Sequence, residues 1–440
     1  MKINLSRCLD MQRRAARRIP GMTQLLSKRP DMFSLGVWPG YYAKAQGAHI
    51  VDLDGNRYLD MSLGGIGATV LGYADPDVDA AVAAAMRDGV SCSLNCPEEV
   101  ELAERLCDLH PFADMVRFTR SGGEAMAMAV RIARTFTGRD TVAFCGYHGW
   151  HDWYLAANLE NDALCGHHLS GLEPAGVPRG LAGTALSFRY NRLDELKAII
   201  AAQGHELAAV VMEPIRNDHP EPGFLESVRE LADSCGAVLI FDEISSGLRL
   251  TVGGAHKVLS DVRPDIAVFA KALGNGYPVA AVIGRGEVMQ AAQRTFISST
   301  FWTDRVGPAA ALATLAKFEA LSAHEHLMAI GSAIQEGWRD IGARHKLELD
   351  VGGIPPLAHF SFPSPLVSQQ KALFIQLMLE KGFLASTICY AMLAHTAGDV
   401  EAYLAAADEA VGAVAQARAD GRLDELIQGK PAGTGFSRLN

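Results

Sequence analysis

Apolar and polar positions along the chain fall into two alternating rhythms. Between about residues 75 and 283, short, mainly apolar, strand-like runs (115–119, 141–144, 208–212, 237–241, 266–270 and 279–283) are separated by longer stretches. In those stretches, such as 125–135 and 225–234, apolar residues recur at helical spacing. A strand that reads as a continuous apolar run is covered on both faces, so this alternation predicts a mainly parallel sheet in an α/β domain. Upstream, residues 49–60 read as a hairpin of two short strands around Asp54-Gly55. From about Pro308 the spacing turns helical (309–321, 327–344), interrupted by a short strand at 358–362 and closed by a long helix over 400–417. The predicted organisation is an N-terminal segment with the hairpin (1–70), a large α/β domain (71–305) and a C-terminal α+β part (306–440). A linker is expected near residues 303–308, and the smaller α+β domain is expected to be built from both chain ends.

Composition narrows the function. The 440 residues are 49% apolar and 20% charged, enough for a large core with a second domain attached. The net charge of −10 and the lack of a dense basic run give no sign of a nucleic-acid or anionic-membrane partner. Arg13, Arg14, Arg17 and Arg18 read as a solvated helix face. No stretch approaches the roughly 18 apolar residues of a membrane span, and residues 1–20 carry no apolar segment of signal-peptide type. A cytoplasmic protein is expected. The eight cysteines are scattered without a CxxC pair and read as reduced thiols. Cys92 and Cys96 lack a second ligand pair. His148 with His151, and His167 with His168, lack partners at zinc spacing, so no metal is expected.

In an open α/β sheet, ligands gather beyond the carboxyl ends of the strands, and three such ends stand out. The run Ala237-Val-Leu-Ile-Phe-Asp242-Glu243 closes on two carboxylates. A buried Asp242 needs a cationic or proton-donating partner, although such a pair serves as readily in a helix cap or on the surface. The run Pro264-Asp-Ile-Ala-Val-Phe-Ala-Lys271 closes on a lysine before a glycine-rich loop. Desolvation there would lower the amine's pKa and make it a Schiff-base nucleophile; alone, such a lysine is more often a snorkelling surface residue, and its place 29 residues after Asp242 is what singles it out. The run Val116-Arg-Phe-Thr-Arg-Ser121-Gly122-Gly123-Glu124 leads a strand into a helix start whose amides and dipole suit a phosphate. Together these provide a phosphate cradle, an aldehyde-capturing amine and an acid for a pyridine nitrogen, the parts that pyridoxal phosphate (PLP) chemistry requires. Tyr147, in Phe144-Cys-Gly-Tyr-His-Gly-Trp150, is placed to stack on a ring or simply to pack its loop.

These segments, in this order, resemble the class III PLP-dependent aminotransferases, within them the glutamate-1-semialdehyde aminomutase-like branch. The likeness extends to Arg131-Ile-Ala-Arg134, Glu213-Pro214, the hairpin Asp52-Leu-Asp-Gly-Asn-Arg-Tyr-Leu-Asp60 and the late Ala394-His-Thr396. It implies fold type I and a homodimer with shared active sites. It further implies that Lys271 carries the cofactor as an internal aldimine and shuttles protons, and that Asp242 pairs with the pyridine nitrogen. Tyr147 would stack on the ring and Ile244 would pack under it. Ser121, Gly122 and Gly123 would hold the phosphate, with Thr300 reaching the phosphate of the neighbouring subunit. Glu213 and Ser245 complete the expected cofactor set.

The departures from the pattern matter as well. Gly123 stands where the family often has threonine or serine, and Ser245 where it often has glutamine or methionine. Phe301-Trp-Thr-Asp-Arg305 replaces a run of small residues after Thr300. Arg216 is an unusual charge after Glu213-Pro214, read either as a site for an anionic substrate or as a surface arginine. Trp38, Tyr41, Ile66, Trp150, Arg216 and Tyr390 are candidates to line the substrate pocket, with Trp38, Ile66 and Arg216 foremost. The segment Leu384-Ala-Ser-Thr-Ile-Cys-Tyr-Ala-Met392 lacks the acid that aminomutases carry before their late signature. The expected reaction is therefore transamination between an amino donor and a carbonyl acceptor. The alternatives are intramolecular amino transfer and a non-catalytic PLP-fold binding protein. A nicotinamide-dependent dehydrogenase is disfavoured because no GxGxxG follows the first α/β strand.

Overall fold

The computed structural model describes residues 3–160, 163–164, 172–431 and 433; His167 and His168 lie outside the described residues. Two units separate along the chain. One comprises residues 1–75 with 325–440, and the other residues 76–324.

The unit of residues 76–324 is built on a seven-stranded sheet. Its order is Met115–Thr119, Ala280–Gly284, Ile266–Phe269, Val238–Asp242, Leu207–Met212, Thr141–Cys145 and Ala185–Ser187. Every residue of Thr141–Cys145, Leu207–Met212, Val238–Asp242 and Ile266–Phe269 is buried, as the unbroken apolar runs require. These strands pair in parallel. Ala280–Gly284 alone runs antiparallel to both neighbours, which leaves Met115–Thr119 in the same sense as Ile266–Phe269. Six strands therefore present their carboxyl ends, and the residues after them, along one edge of the sheet.

Helices cover the sheet. Phe224–Cys235 buries Phe224, Leu225, Val228 and Ala232 against Val210, Met212, Leu239 and Phe241. Burying a side chain of this size is worth about 1.5–3 kcal/mol. The helix Gly122–Thr137 is fixed at both ends by its sequence. Ser121 and Glu124 form a reciprocal capping box, and Gly138 closes it with φ 69°.

In the unit formed by the chain ends, the hairpin strands His49–Asp52 and Arg57–Met61 are extended by Tyr42–Gln46 on one side and by a parallel Phe383–Ala385 on the other. A second, antiparallel sheet joins Asp350–Gly352, Leu357–Ser361 and Ile388–Tyr390. Trp338 anchors this core, donating from its indole to the Tyr403 hydroxyl at 3.0 Å and meeting Phe360 edge to face.

Candidate active site

Lys271 follows Ile266–Phe269 and opens a single 3-10 turn, Lys271–Gly274. Its φ of 46° puts a non-glycine residue in the left-handed region, at a cost of roughly 1–2 kcal/mol. Strain of this kind persists where the surrounding structure dictates the conformation. The Nζ atom donates to Ser245 Oγ at 2.7 Å. Burial, and next the positive charge of Arg216, lower the amine's pKa to about 8, against the pull of Glu213 and Asp242. A sizeable fraction of the amine is thus unprotonated near neutral pH, the form that attacks an aldehyde.

The two carboxylates that end Val238–Asp242 and follow it have different tasks. Asp242 Oδ2 meets His148 Nδ1 at 2.7 Å, and Oδ1 accepts the Ile244 amide at 3.0 Å. Burial raises the Asp242 pKa while the His148 hydrogen bond pulls it down. Glu243 serves the fold. It accepts from the Ser246 hydroxyl, from the amides of Ala255 and His256, and from the His256 ring. Burial opposes its charge, yet these bonds hold its pKa below the ordinary value. They also pin the loop that carries Ser245, whose carbonyl receives Arg249 Nε. His148 is the member that sequence reasoning missed, having been considered only as a metal ligand. Its signal was its place next to Tyr147, at the end of the strand two positions across the sheet from Asp242.

At the end of Met115–Thr119, Gly122 and Gly123 begin a helix of 16 residues, so their amides have no intrahelical acceptor. A side chain at Gly122 would come within 2.8 Å of Ile244, and one at Gly123 within 3.0 Å of the His151 ring. A side chain at either glycine would therefore press on its neighbour in this corner. His151 Nδ1 is buried there without a hydrogen-bond partner. The Ser121 hydroxyl is committed to the helix cap. Arg120 pairs with Asp304 and donates to the Trp302 carbonyl at 2.8 Å, and Arg117 donates to the Ile297 carbonyl at 2.6 Å. These arginines hold the segment bearing Thr300, which is exposed.

After Thr141–Cys145, Tyr147 is 39% exposed, and its amide donates to Glu213 Oε2 at 3.1 Å. The same carboxylate meets Arg216 Nη1 at 3.3 and 3.5 Å. Glu213 thus ties the Tyr147 loop to the end of Leu207–Met212. Lys271, Ser245, Asp242, His148, Ile244, Gly122, Gly123, Tyr147, Glu213 and Arg216 all lie in or after strands of this one sheet.

The cofactor expected from the sequence fits these residues on a structural criterion: an orphaned imidazole nitrogen and two helix-start glycines at one end, and a polarised amine beside a buried carboxylate at the other. Lys271 would anchor it, Asp242 would face its ring nitrogen, and Gly122 and Gly123 would hold its phosphate.

Trp38 and Ile66 belong to the unit of the chain ends. Trp38 is buried and stacks on Phe33 with ring centroids 4.0 Å apart. Ile66 takes φ 63° within the turn Gly64–Gly67. In the same unit the side chains of Cys8, Asp52 and Asp54 converge at cation-binding distance. Their oxygens are already used: Asp52 accepts the amides of Asp54 and Asn56, and Asp54 those of Arg7 and Cys8.

The family model for "Aminotransferase class-III" matches residues 36–396. A 3-aminobutyryl-CoA aminotransferase of Cloacimonas acidaminovorans is 34% identical over 362 residues, covering 80% of this chain and 81% of that protein. A glutamate-1-semialdehyde 2,1-aminomutase of Dechloromonas aromatica is 34% identical over 427 residues, covering 92% and 98%. Among solved structures, the FumI protein of Sphingopyxis sp. MTA144 in a PLP-bound form superposes with a TM-score of 0.85 at 26% identity, covering 97% and 99%.

Proposed function

The chain belongs to the class III aminotransferases, which work with PLP, and we propose that it moves an amino group from a small amino donor to a carbonyl acceptor through Lys271. The observation that carries this reading is the Lys271 amine, polarised to a pKa of about 8 and oriented by Ser245 at the sheet edge that also holds Asp242. When bound, PLP supplies an aldehyde to carry the amino group and a ring that draws electrons from the reacting carbon. Lys271 Nζ, as the neutral amine, would hold the cofactor and, once released by the donor, would take and return the proton of the donor's reacting carbon. Asp242 would face the cofactor's ring nitrogen, with the His148 hydrogen bond opposing the upward push of burial on its pKa. Tyr147 covers one face of the site and Ile244 the other, and Gly122 and Gly123 fix the phosphate end.

Exposed Phe296 and Phe301, at 85% and 70%, flank the Thr300 segment and support a homodimer in which Thr300 reaches the partner's phosphate. The strained φ of Ile66 supports a functional role for its turn, and Arg216 is proposed to border the substrate. Among the described residues no helix is long and apolar enough to cross a membrane, and the cysteines are unpaired, which supports a cytoplasmic setting.

Intramolecular amino transfer is the second reading, supported by relatives named as aminomutases. Incubating purified holoenzyme with single candidate substrates, then with donor and acceptor together, separates the two. Amine exchange that requires both partners supports transfer. Conversion of an amino aldehyde with no second substrate would reverse the ranking.

A further inference from the structure

We propose that a groove beside the N-terminal helix Ser6–Ala16 binds a small organic diphosphate with a flat body, of the nucleotide type, and that Arg14, Arg17 and Arg18 hold its phosphates. Nothing about this site depends on the aminotransferase reading. The groove has a volume of about 730 Å³ and is lined by these three arginines with Met11, Ala15, Ile19 and Tyr41. Pockets that take small ligands run from about 300 to 1,000 Å³.

The arginine wall lacks counter-charge. Residues 6–18 carry five arginines and one acid, Asp10. Asp10 pairs with Arg13 at 3.3 Å, and Arg13 does not line the groove. Among the described residues, no carboxylate forms an ion pair with Arg14, Arg17 or Arg18. Closing the helix does not occupy these guanidiniums either. The Arg14 carbonyl accepts the Arg17 amide at 3.3 Å, and the Ala15 carbonyl accepts the amides of Arg18 and Ile19 at 2.9 and 2.7 Å. Three like charges on one concave surface repel one another until an anion joins them. A terminal phosphate carries about 1.5–2 negative charges at pH 7, so an organic diphosphate brings about three, one for each arginine. The guanidinium fork matches phosphate oxygens in pairs.

The floor decides what else the ligand carries. Met11, Ala15 and Ile19 are apolar, and Tyr41 is half-buried with its hydroxyl spent on the Met22 carbonyl at 3.4 Å. Bare phosphate would leave this floor wet, whereas a flat base covers it and stacks on tyrosine or arginine. Two larger partners fit worse. The helix buries Cys8, Gln12 and Ala15 inside its own unit, so that side is not free to lie in a bilayer. A long nucleic acid would extend past the roughly 8 Å over which charge acts in physiological salt and meet a chain of net charge −10. A compact anion feels only the arginines.

The test titrates the full chain, saturated with PLP so that the cradle at Gly122 and Gly123 is filled, with ADP by calorimetry. Adenosine, pyrophosphate and phosphatidylglycerol vesicles are the comparison ligands. ADP should bind saturably and adenosine should not. Pyrophosphate, similar in charge but without a body, should bind at least threefold more weakly than ADP. Arg17→Ala with Arg18→Ala should weaken ADP about tenfold or more, and Arg13→Ala should leave it unchanged. These side chains are exposed, so both variants should keep the wild-type melting temperature and cofactor absorbance. No saturable ADP binding, equal affinity for ADP and pyrophosphate, or an ADP affinity unmoved by the double variant overturns the proposal. Binding to the vesicles but not to ADP overturns it too, and makes the arginines a membrane contact. ADP binding without amino transfer from any donor would sink the aminotransferase reading and leave this site standing.

Discussion

His148 Nδ1 lies 2.7 Å from Asp242 Oδ2, and the two side chains are sealed at 0% and 3% exposure. His148 Nε2 faces the Cys145 carbonyl at 3.1 Å, so that nitrogen carries a proton, and Nδ1 shares another with Asp242. The pair is neutral as a unit wherever that second proton sits. Removing the imidazole leaves the carboxylate buried with the Ile244 amide. Burial raises the Asp242 pKa, and the His148 hydrogen bond limits the rise. A raised folded pKa favours the native state at low pH, and that favour is lost as pH rises through it. His148→Leu lifts the Asp242 pKa further. It should therefore destabilise the cofactor-free protein by about 3–5 kcal/mol near pH 8, and clearly less near pH 5. Thermal melts across that range check this; equal losses at both ends would show that the imidazole only fills space.

The strand runs and the chemistry at their ends were legible because both-face burial leaves an unmistakable apolar signature, ending where polarity returns. Asp242 ends one such run and Lys271 follows another, whereas Gly122-Gly123 come after Met115–Thr119, which is only partly buried and carries Arg117. The antiparallel sense of Ala280–Gly284 was not legible, since a strand buried on both faces reads the same in either direction. Ala185–Ser187 and Phe383–Ala385 are three-residue strands, too short for a period to show. The division of labour between Asp242 and Glu243 depends on His148 and His256, each brought in by the fold from a distant segment. Pairwise chemistry of that kind leaves no trace in the spacing of either residue.

The Lys271 amine gives a prediction for the cofactor-free protein. Its reactivity toward an amine-modifying reagent, followed site by site by mass spectrometry, should rise with a midpoint near pH 8. Arg216→Met removes the neighbouring positive charge, stabilises the ammonium form and should move the midpoint upward. The sign carries to stability. A lowered folded pKa contributes stability that is present above the ordinary lysine value and is lost as pH falls through about 8. Wild type should therefore lose melting temperature relative to Lys271→Met as pH drops from about 10 to about 7. A parallel pair of curves would count against a desolvated amine.

Ser245 supplies the acceptor that aims Nζ. Ser245→Ala should cost only about 1 kcal/mol of stability, the worth of one hydrogen bond. It should slow capture of PLP by the cofactor-free protein roughly tenfold, because the amine loses its preferred orientation. Stopped-flow absorbance after mixing measures the capture rate, and a melt measures the stability. Ser245→Thr should restore the rate; if Ala and Thr capture equally slowly, the hydroxyl is not what orients the amine.

The last prediction concerns the corner where Gly123 and His151 meet. The imidazole occupies the space a side chain at 123 would fill, with ring atoms within 3.0 Å of that point, and its Nδ1 is buried without a partner. Burial lowers the ring's pKa, while Glu124 and Asp152 oppose that shift. A phosphate held by the Gly122 and Gly123 amides would act in the same direction and give Nδ1–H an acceptor. His151→Leu should then weaken binding of PLP roughly tenfold, as expected for loss of a charge-assisted hydrogen bond. Binding of pyridoxal, which lacks the phosphate, should be unchanged. Fluorescence titration of the cofactor-free protein with both ligands separates the possibilities. Equal losses would mark His151 as packing alone. With the ring gone, a hydroxyl becomes sterically possible at 123, so His151→Ala with Gly123→Ser should recover part of the phosphate-dependent affinity. Gly123→Ser alone should lower it, since the new side chain meets the ring.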